Sequence, residues 1–196
     1  GTRTPENTPP FRFREWLFAL QGPALGSTEG GVVRAAMLAR VPSFLAQNVR
    51  GDTLDEAVFA LFLGALHGRG QLDNPDVDRA IVAACCAETL RGADAACEAH
   101  GAPRLSVNLL ATNRRTLVAH RRGPALAWHR RHGIRDCAAC RRPADVGGTG
   151  PRVLDHEHLK CLFVLGDGRV PDRWTEVPEG STLTSDLAVE VRVLES

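Results

Sequence analysis

Tyrosine is absent from these 196 residues, and lysine and methionine occur once each, the lysine at Lys160. Alanine and arginine take their place, a compositional bias that excludes no chemistry. An excess of charge is also missing. With 24 basic against 23 acidic residues the formal net charge is +1, so no overall field draws the chain to nucleic acid or to an anionic membrane. No apolar run reaches the roughly 18 to 20 residues a membrane span needs, and Gly1 to Pro10 lack a signal-peptide pattern. The expectation is a cytoplasmic protein without a membrane partner. Six cysteines are too few for a disulfide scaffold, and Cys85, Cys86 and Cys97 sit in helix-like sequence where reduced, buried thiols are usual.

What is present is a globular balance of 43% hydrophobic and 24% charged residues, enough for one sizeable core in one domain over 1–196. Glu15 to Leu20 is short, apolar and aromatic, and predicts a buried strand ending at Gln21-Gly22. Two short helices are expected between Gly31 and Gln47, divided at Pro42. Thr53-Leu54-Asp55-Glu56 is a capping box, so a helix should start near Asp52 or Thr53 and end at Gly68. A second long helix is expected from Asn74-Pro75-Asp76 to His100-Gly101. After Gly101 the period changes to two. Strands are predicted over Leu105 to Thr112, Thr116 to His120, Ala125 to His129, His158 to Leu165 and Leu187 to Leu194, with a hairpin connection at Asn113-Arg114 and a loop at Val146 to Pro151. Helices first and antiparallel strands after imply a layered α+β domain.

One constellation has metal-ligand spacing. Cys137 and Cys140 form a C-x₂-C, and fifteen residues later come His156, His158 and Cys161. Cys137, Cys140, Cys161 and one histidine, His158, would hold a Zn²⁺ that staples the loop 134–161 onto the strand after it. The alternative is a surface cysteine pair, with Cys161 turned into the core by strand alternation. Arg121-Arg122, His129 to His132 and Arg141-Arg142 make a basic stretch, read as solvent-facing strand positions in preference to a nucleic-acid surface.

Four segments carry a resemblance. Pro10 to Gly22 (PFRFREWLFALQG), Gly51 to Leu63 (GDTLDEAVFALFL), Val107 to Arg122 (VNLLATNRRTLVAHRR) and Trp174 to Gly180 (WTEVPEG) are similar, in this order, to segments of class II glutamine amidotransferases. Within that family the style is that of the small amidohydrolases acting on γ-glutamyl compounds. The resemblance implies an N-terminal-nucleophile fold with αββα layers, of which this chain would be the C-terminal three-quarters.

The family's chemistry needs a cysteine at the start of the mature chain, whose own α-amine serves as base. With the amine titrating near pH 8 and the thiol near 8.5, the pair is self-contained. Here the first cysteine is Cys85. The resemblance therefore implies a chain inactive by itself, whose nucleophile segment is supplied by a separate fragment or another subunit. Arg3 resembles the arginine that clamps the α-carboxylate of glutamine, a task for a planar fork of donors. Gln21 and Gly22 stand where the family has the asparagine and glycine of the oxyanion hole. One added methylene displaces the amide by about 1 Å, and losing such a donor costs on the order of 10² to 10³ in rate. Leu54 occupies the place of the aspartate that binds the α-amino group, with Asp55 one residue later as the candidate replacement. These departures favour a domain related to γ-glutamyl amide hydrolysis whose activity is lost or depends on that segment; the alternative is a non-catalytic binding or scaffold subunit with a zinc-stapled loop.

The zinc assignment makes a direct prediction. Metal analysis of the purified chain should find about one zinc per chain, and Cys137→Ser should abolish it; a zinc content untouched by that change overturns the assignment.

Overall fold

The computed structural model describes residues 4–22, 25, 27–133, 158–166 and 168–195. After a 3-10 turn at Pro5–Asn7, strands β1 (Phe11–Phe13) and β2 (Trp16–Gln21) form a hairpin. Four helices follow: α1 (Ser27–Leu38), α2 (Ser43–Ala46), α3 (Leu54–Gly68) and α4 (Arg79–Ala99). The rest of the described chain is strand: β3 (Val107–Thr112), β4 (Leu117–Arg122), β5 (Ala127–His132), β6 (Lys160–Leu165), β7 (Thr175–Glu176), β8 (Ser181–Ser185) and β9 (Val191–Glu195). Six strands make one antiparallel sheet in the order β1-β2-β3-β4-β8-β9, and three make a second in the order β6-β5-β7.

Alternation along the strands divides the core in two. Trp16, Phe18, Val107, Leu109, Ala111 and Val118 turn one face of the large sheet to the helices. Ala119 and Leu183, with Leu110 and Leu117, turn the other face to Leu126, Trp128, Leu162, Val164 and Val177 of the small-sheet region. The described residues thus stack as helices, large sheet and small sheet; an outer helical layer beyond the small sheet is not among them. Helix α3 is buried at nine of its 15 residues and packs against β2, α1 and α4 at once, which is why its sequence is apolar nearly all round. No helix among the described residues is long and apolar enough to cross a membrane.

The expected α3 start is observed, with Thr53 Oγ1 accepting from Glu56 N at 3.3 Å. The reciprocal half of the box differs. Glu56 reaches past Thr53 and accepts from Arg50 N at 2.8 Å and Gly51 N at 2.6 Å, fixing the loop that enters the helix. Helix α4 begins four residues later than the Pro75 signal implies. Asn74 Oδ1 instead accepts from Asp76 N at 3.0 Å in a turn, and Pro75 O is taken by Asn113 Nδ2 at 3.1 Å, so Asp78 becomes the cap. The strand expected from Leu187 starts only at Val191, because Asp186 closes a turn through Glu190 N at 2.9 Å. The short β1 and β7 and the hydroxyl-rich β8 are strands the sequence reading does not contain.

Arg121 and Arg122 are not solvent-facing positions. Being adjacent on β4, they leave on opposite faces of the sheet. Arg122 forks onto Asp94 of α4 at 2.8 and 2.9 Å and also donates to Leu105 O, with side-chain exposures of 18% and 17% for the pair. Arg121 donates to Glu176 and to Val177 O, each at 2.6 Å, tying β4 to the segment after β7. Bidentate, half-dry pairs of this kind resist solvent screening better than open surface pairs. His129 to His132 do lie on β5, and Arg141 and Arg142 lie outside the described residues.

His120, on the helix side of β4, is buried with its Nδ1 2.9 Å from Thr182 Oγ1. Burial, assisted by the Arg122 charge, pushes its pKa down to about 4. The unfolded chain takes up this proton first, near pH 6.5, so stability is full above that pH and is lost as the pH falls towards about 4. Denaturant unfolding should show a loss of up to about 1.4 kcal/mol per pH unit across this window. In His120→Asn that slope should flatten, and an unchanged slope would assign it to other groups.

Candidate functional site

The packing of α3 on β2 decides where the functional candidates meet. Phe59 stacks on Phe18 at 5.0 Å between ring centroids, and Phe62 meets Trp16 edge-on at 5.2 Å, so helix and strand run in opposite directions. Gln21 is three residues beyond Phe18, about 10 Å along the strand. Asp55 is four residues before Phe59, about 6 Å along the helix. Both therefore stand at the same end of the pair.

At that end Gln21 pairs in register with Asn108 of β3, both turned to the small-sheet side. Asn108 is buried, and its amide is fully engaged. Nδ2 donates to Pro124 O at 2.8 Å and to Gln21 Oε1 at 3.4 Å, while Oδ1 accepts from Arg122 N at 3.3 Å. Gly166, just after β6, lies under the Gln21 amide so closely that a Cβ there would overlap Gln21 Oε1 and approach Leu126 at 3.4 Å. With Oε1 held between Asn108 and Gly166, Gln21 Nε2 has no hydrogen-bond partner among the described residues, and the residue is exposed. Gly22 follows where the chain presses on β3: a Cβ would sit 2.6 Å from Val107 Cγ1 and would overlap Ser106 O. Only glycine fits that approach.

At the same end, in the helix layer on the other face of the large sheet, the start of α3 presents Asp55. It is half-buried, burial raises its carboxyl above the ordinary aspartate value, and it has no hydrogen bond or ion pair among the described residues. Leu54 beside it packs against the helix-side core and offers no polar group. The loop before the helix is pinned from the N-terminal side by Asn7, whose Oδ1 accepts from Asp52 N at 3.0 Å. Arg3 lies outside the described residues. An open amide donor can donate to a carbonyl oxygen, and a desolvated carboxylate with no partner among the described residues can accept from an ammonium group.

A nucleophile is not found beside them among the described residues. Cys85, Cys86 and Cys97 are buried in α4, and burial raises all three thiols, Cys85 to about 11, so none supplies a thiolate near neutral pH. Of the proposed zinc ligands, Cys137 and Cys140 lie outside the described residues. His158 is exposed, and Cys161 is half-buried on the face of the small sheet opposite Leu162 and Val164. Among the described residues no group of three or more potential ligands is assembled. A cleft of about 520 Å³ beside β1, lined by Phe11, Arg12, Arg50, Glu56 and Phe59, includes neither Gln21 nor Asp55. Asn108 and Gly166 were not singled out from the sequence. A buried asparagine in the apolar run Val107 to Ala111 was the available signal for the first; Gly166 is brought in from another sheet and left none.

No family model matches the chain, and no curated protein is significantly similar to it. Among solved structures, the fold is similar to that of a glutamine aminotransferase class-II domain protein from Silicibacter pomeroyi, with a TM-score of 0.62 and 18% identity, over 98% of this chain and 73% of that one. A predicted glutamine amidotransferase from Pseudomonas aeruginosa is also similar, with a TM-score of 0.49 and 18% identity, over 95% of this chain and 65% of that one. At such identity the likeness concerns the fold. The arrangement of helices and antiparallel sheets is accordingly similar to that of the Silicibacter pomeroyi protein.

The Asp55 environment has a stability signature. Its folded-state pKa is raised, so the folded chain holds this proton more tightly than the unfolded chain does, and ionisation costs stability as pH rises through the carboxylate range. Asp55→Asn should therefore raise the Tm at pH 7, with the gain shrinking on acidification. A lower Tm at pH 7 would mean that the carboxylate is a structural partner.

Proposed function

We propose that this chain is a class II glutamine amidotransferase-like domain that binds a γ-glutamyl amide and does not hydrolyse it alone. What supports the reading is the placement at one end of the fold of the outward Gln21 amide and of the Asp55 carboxylate, which has no hydrogen bond or ion pair among the described residues. Gln21 Nε2 and the close-packed Gly22 backbone address the γ-carbonyl, and Asp55 takes the α-ammonium in place of Leu54. Arg3 takes the α-carboxylate. Such a set binds and polarises the amide, and the bond-breaking step still requires a nucleophile paired with a base. Among the described residues the buried thiols of α4 do not supply it, and a cysteine-led segment would.

A second reading, a binding or scaffold subunit with no chemistry even when so completed, is favoured by one specific feature. Leu54 is committed to the apolar core, so the amine contact rests on Asp55 alone.

Titration calorimetry should detect L-glutamine binding to the chain, weakened about tenfold or more in Asp55→Asn, as expected for loss of a charged hydrogen bond. No ammonia should be released by the chain alone. Absence of binding, or hydrolysis without any added segment, overturns the proposal. Ammonia release on adding a cysteine-led segment separates the enzyme reading from the scaffold reading.

A further inference from the structure

We infer that Asn108 and Gly166 are positioning residues that force Gln21 to present its NH₂ group, and not its carbonyl, to an acceptor oxygen of the ligand. The inference rests on the reading of this end of the fold as a γ-glutamyl site, and deepens it by assigning the direction of the hydrogen bond.

A glutamine amide is symmetric enough in shape that either end can face outward; its neighbours decide. Here the decision propagates from the backbone. Asn108 is 4% exposed and lies between Pro124 O, which can only accept, and Arg122 N–H, which can only donate. A reversed Asn108 would set its Oδ1 against Pro124 O at 2.8 Å and its NH₂ against a donor. Its orientation is thus imposed, and its second N–H must meet an acceptor on Gln21, which is Oε1. Both Asn108 N–H donors are then spent, so Asn108 has none left to offer a ligand oxygen. Gly166 completes the constraint from the small sheet: lacking a Cβ, it leaves the space Oε1 fills. The consequence is a fixed donor at Gln21 Nε2, suited to a carbonyl or an oxyanion and unsuited to an ammonium or hydroxyl donor.

The test uses the whole chain with L-glutamine as the probe and two substitutions of opposite logic. Gln21→Glu keeps the acceptor for Asn108 while replacing the outward NH₂ by oxygen. The Tm should hold, and L-glutamine affinity should fall by about tenfold or more. Asn108→Ala keeps the donor and removes its orienter. Side-chain ¹⁵N relaxation of Gln21, ordered in the parent chain, should fall to order parameters below about 0.6 while the backbone of β2 stays rigid. A Gln21 amide equally ordered in Asn108→Ala, or unaltered L-glutamine binding by Gln21→Glu, overturns the inference. If the parent chain binds no L-glutamine, the functional reading falls, and the relaxation result still decides whether Asn108 orients Gln21.

Discussion

Everything at the candidate site depends on the contact between β2 and α3. Aromatics make up 5% of the chain, yet Trp16, Phe18, Phe59 and Phe62 form one cluster, with Trp16 further anchored by its indole N–H to Leu72 O at 3.2 Å. Each such ring pair contributes about 0.5 to 1.5 kcal/mol beyond the area it buries. The larger effect is geometric. Rings that interlock at two successive levels leave helix and strand no freedom to slide, so the free ends of both elements are held in a constant relation. Gln21-Gly22 and Thr53-Leu54-Asp55 are those ends.

Two arginines extend this order to the other layers. Because Arg121 and Arg122 are neighbours on a strand, the pleat sends one to the helices and one to the small-sheet side. Arg122 joins β4 to α4 through Asp94 and to the loop before β3 through Leu105 O; Arg121 joins β4 to Glu176 and Val177. Removing either partner would leave a partly buried charge uncompensated, a more costly change than the loss of an exposed pair. The Arg122 backbone N–H in turn orients Asn108. The strand that couples the layers thus also sets the amide beneath Gln21.

Much of this was legible in order along the chain. The capping residue Thr53, the strand ending at Gln21, the hairpin at Asn113-Arg114 and the buried thiols of α4 follow from local rules and are observed as expected. Departures came where a distant group competed for a local hydrogen bond. Asn113 takes Pro75 O, so the Pro75 turn is not a helix start, and Glu56 serves Arg50 and Gly51 because the loop, not the cap, lacks partners. Strand β8 escaped notice because Ser181 to Ser185 contain one apolar residue; its burial is compensated by pairs such as Thr182 with His120, which no window of sequence contains.

By itself the sequence determined the type of the helices and of most strands and the chemical character of Gln21, Leu54 and Asp55, since those depend on periodicity, caps and side-chain type. The direction in which Gln21 presents its amide, the role of Asn108 and the space that Gly166 leaves for the Gln21 amide were decided only by the tertiary structure. The physical reason is that a hydrogen bond's polarity is set by which group lies opposite, and the groups opposite Gln21 come from β3, the turn at Pro124 and the second sheet, 87 or more residues away in the chain.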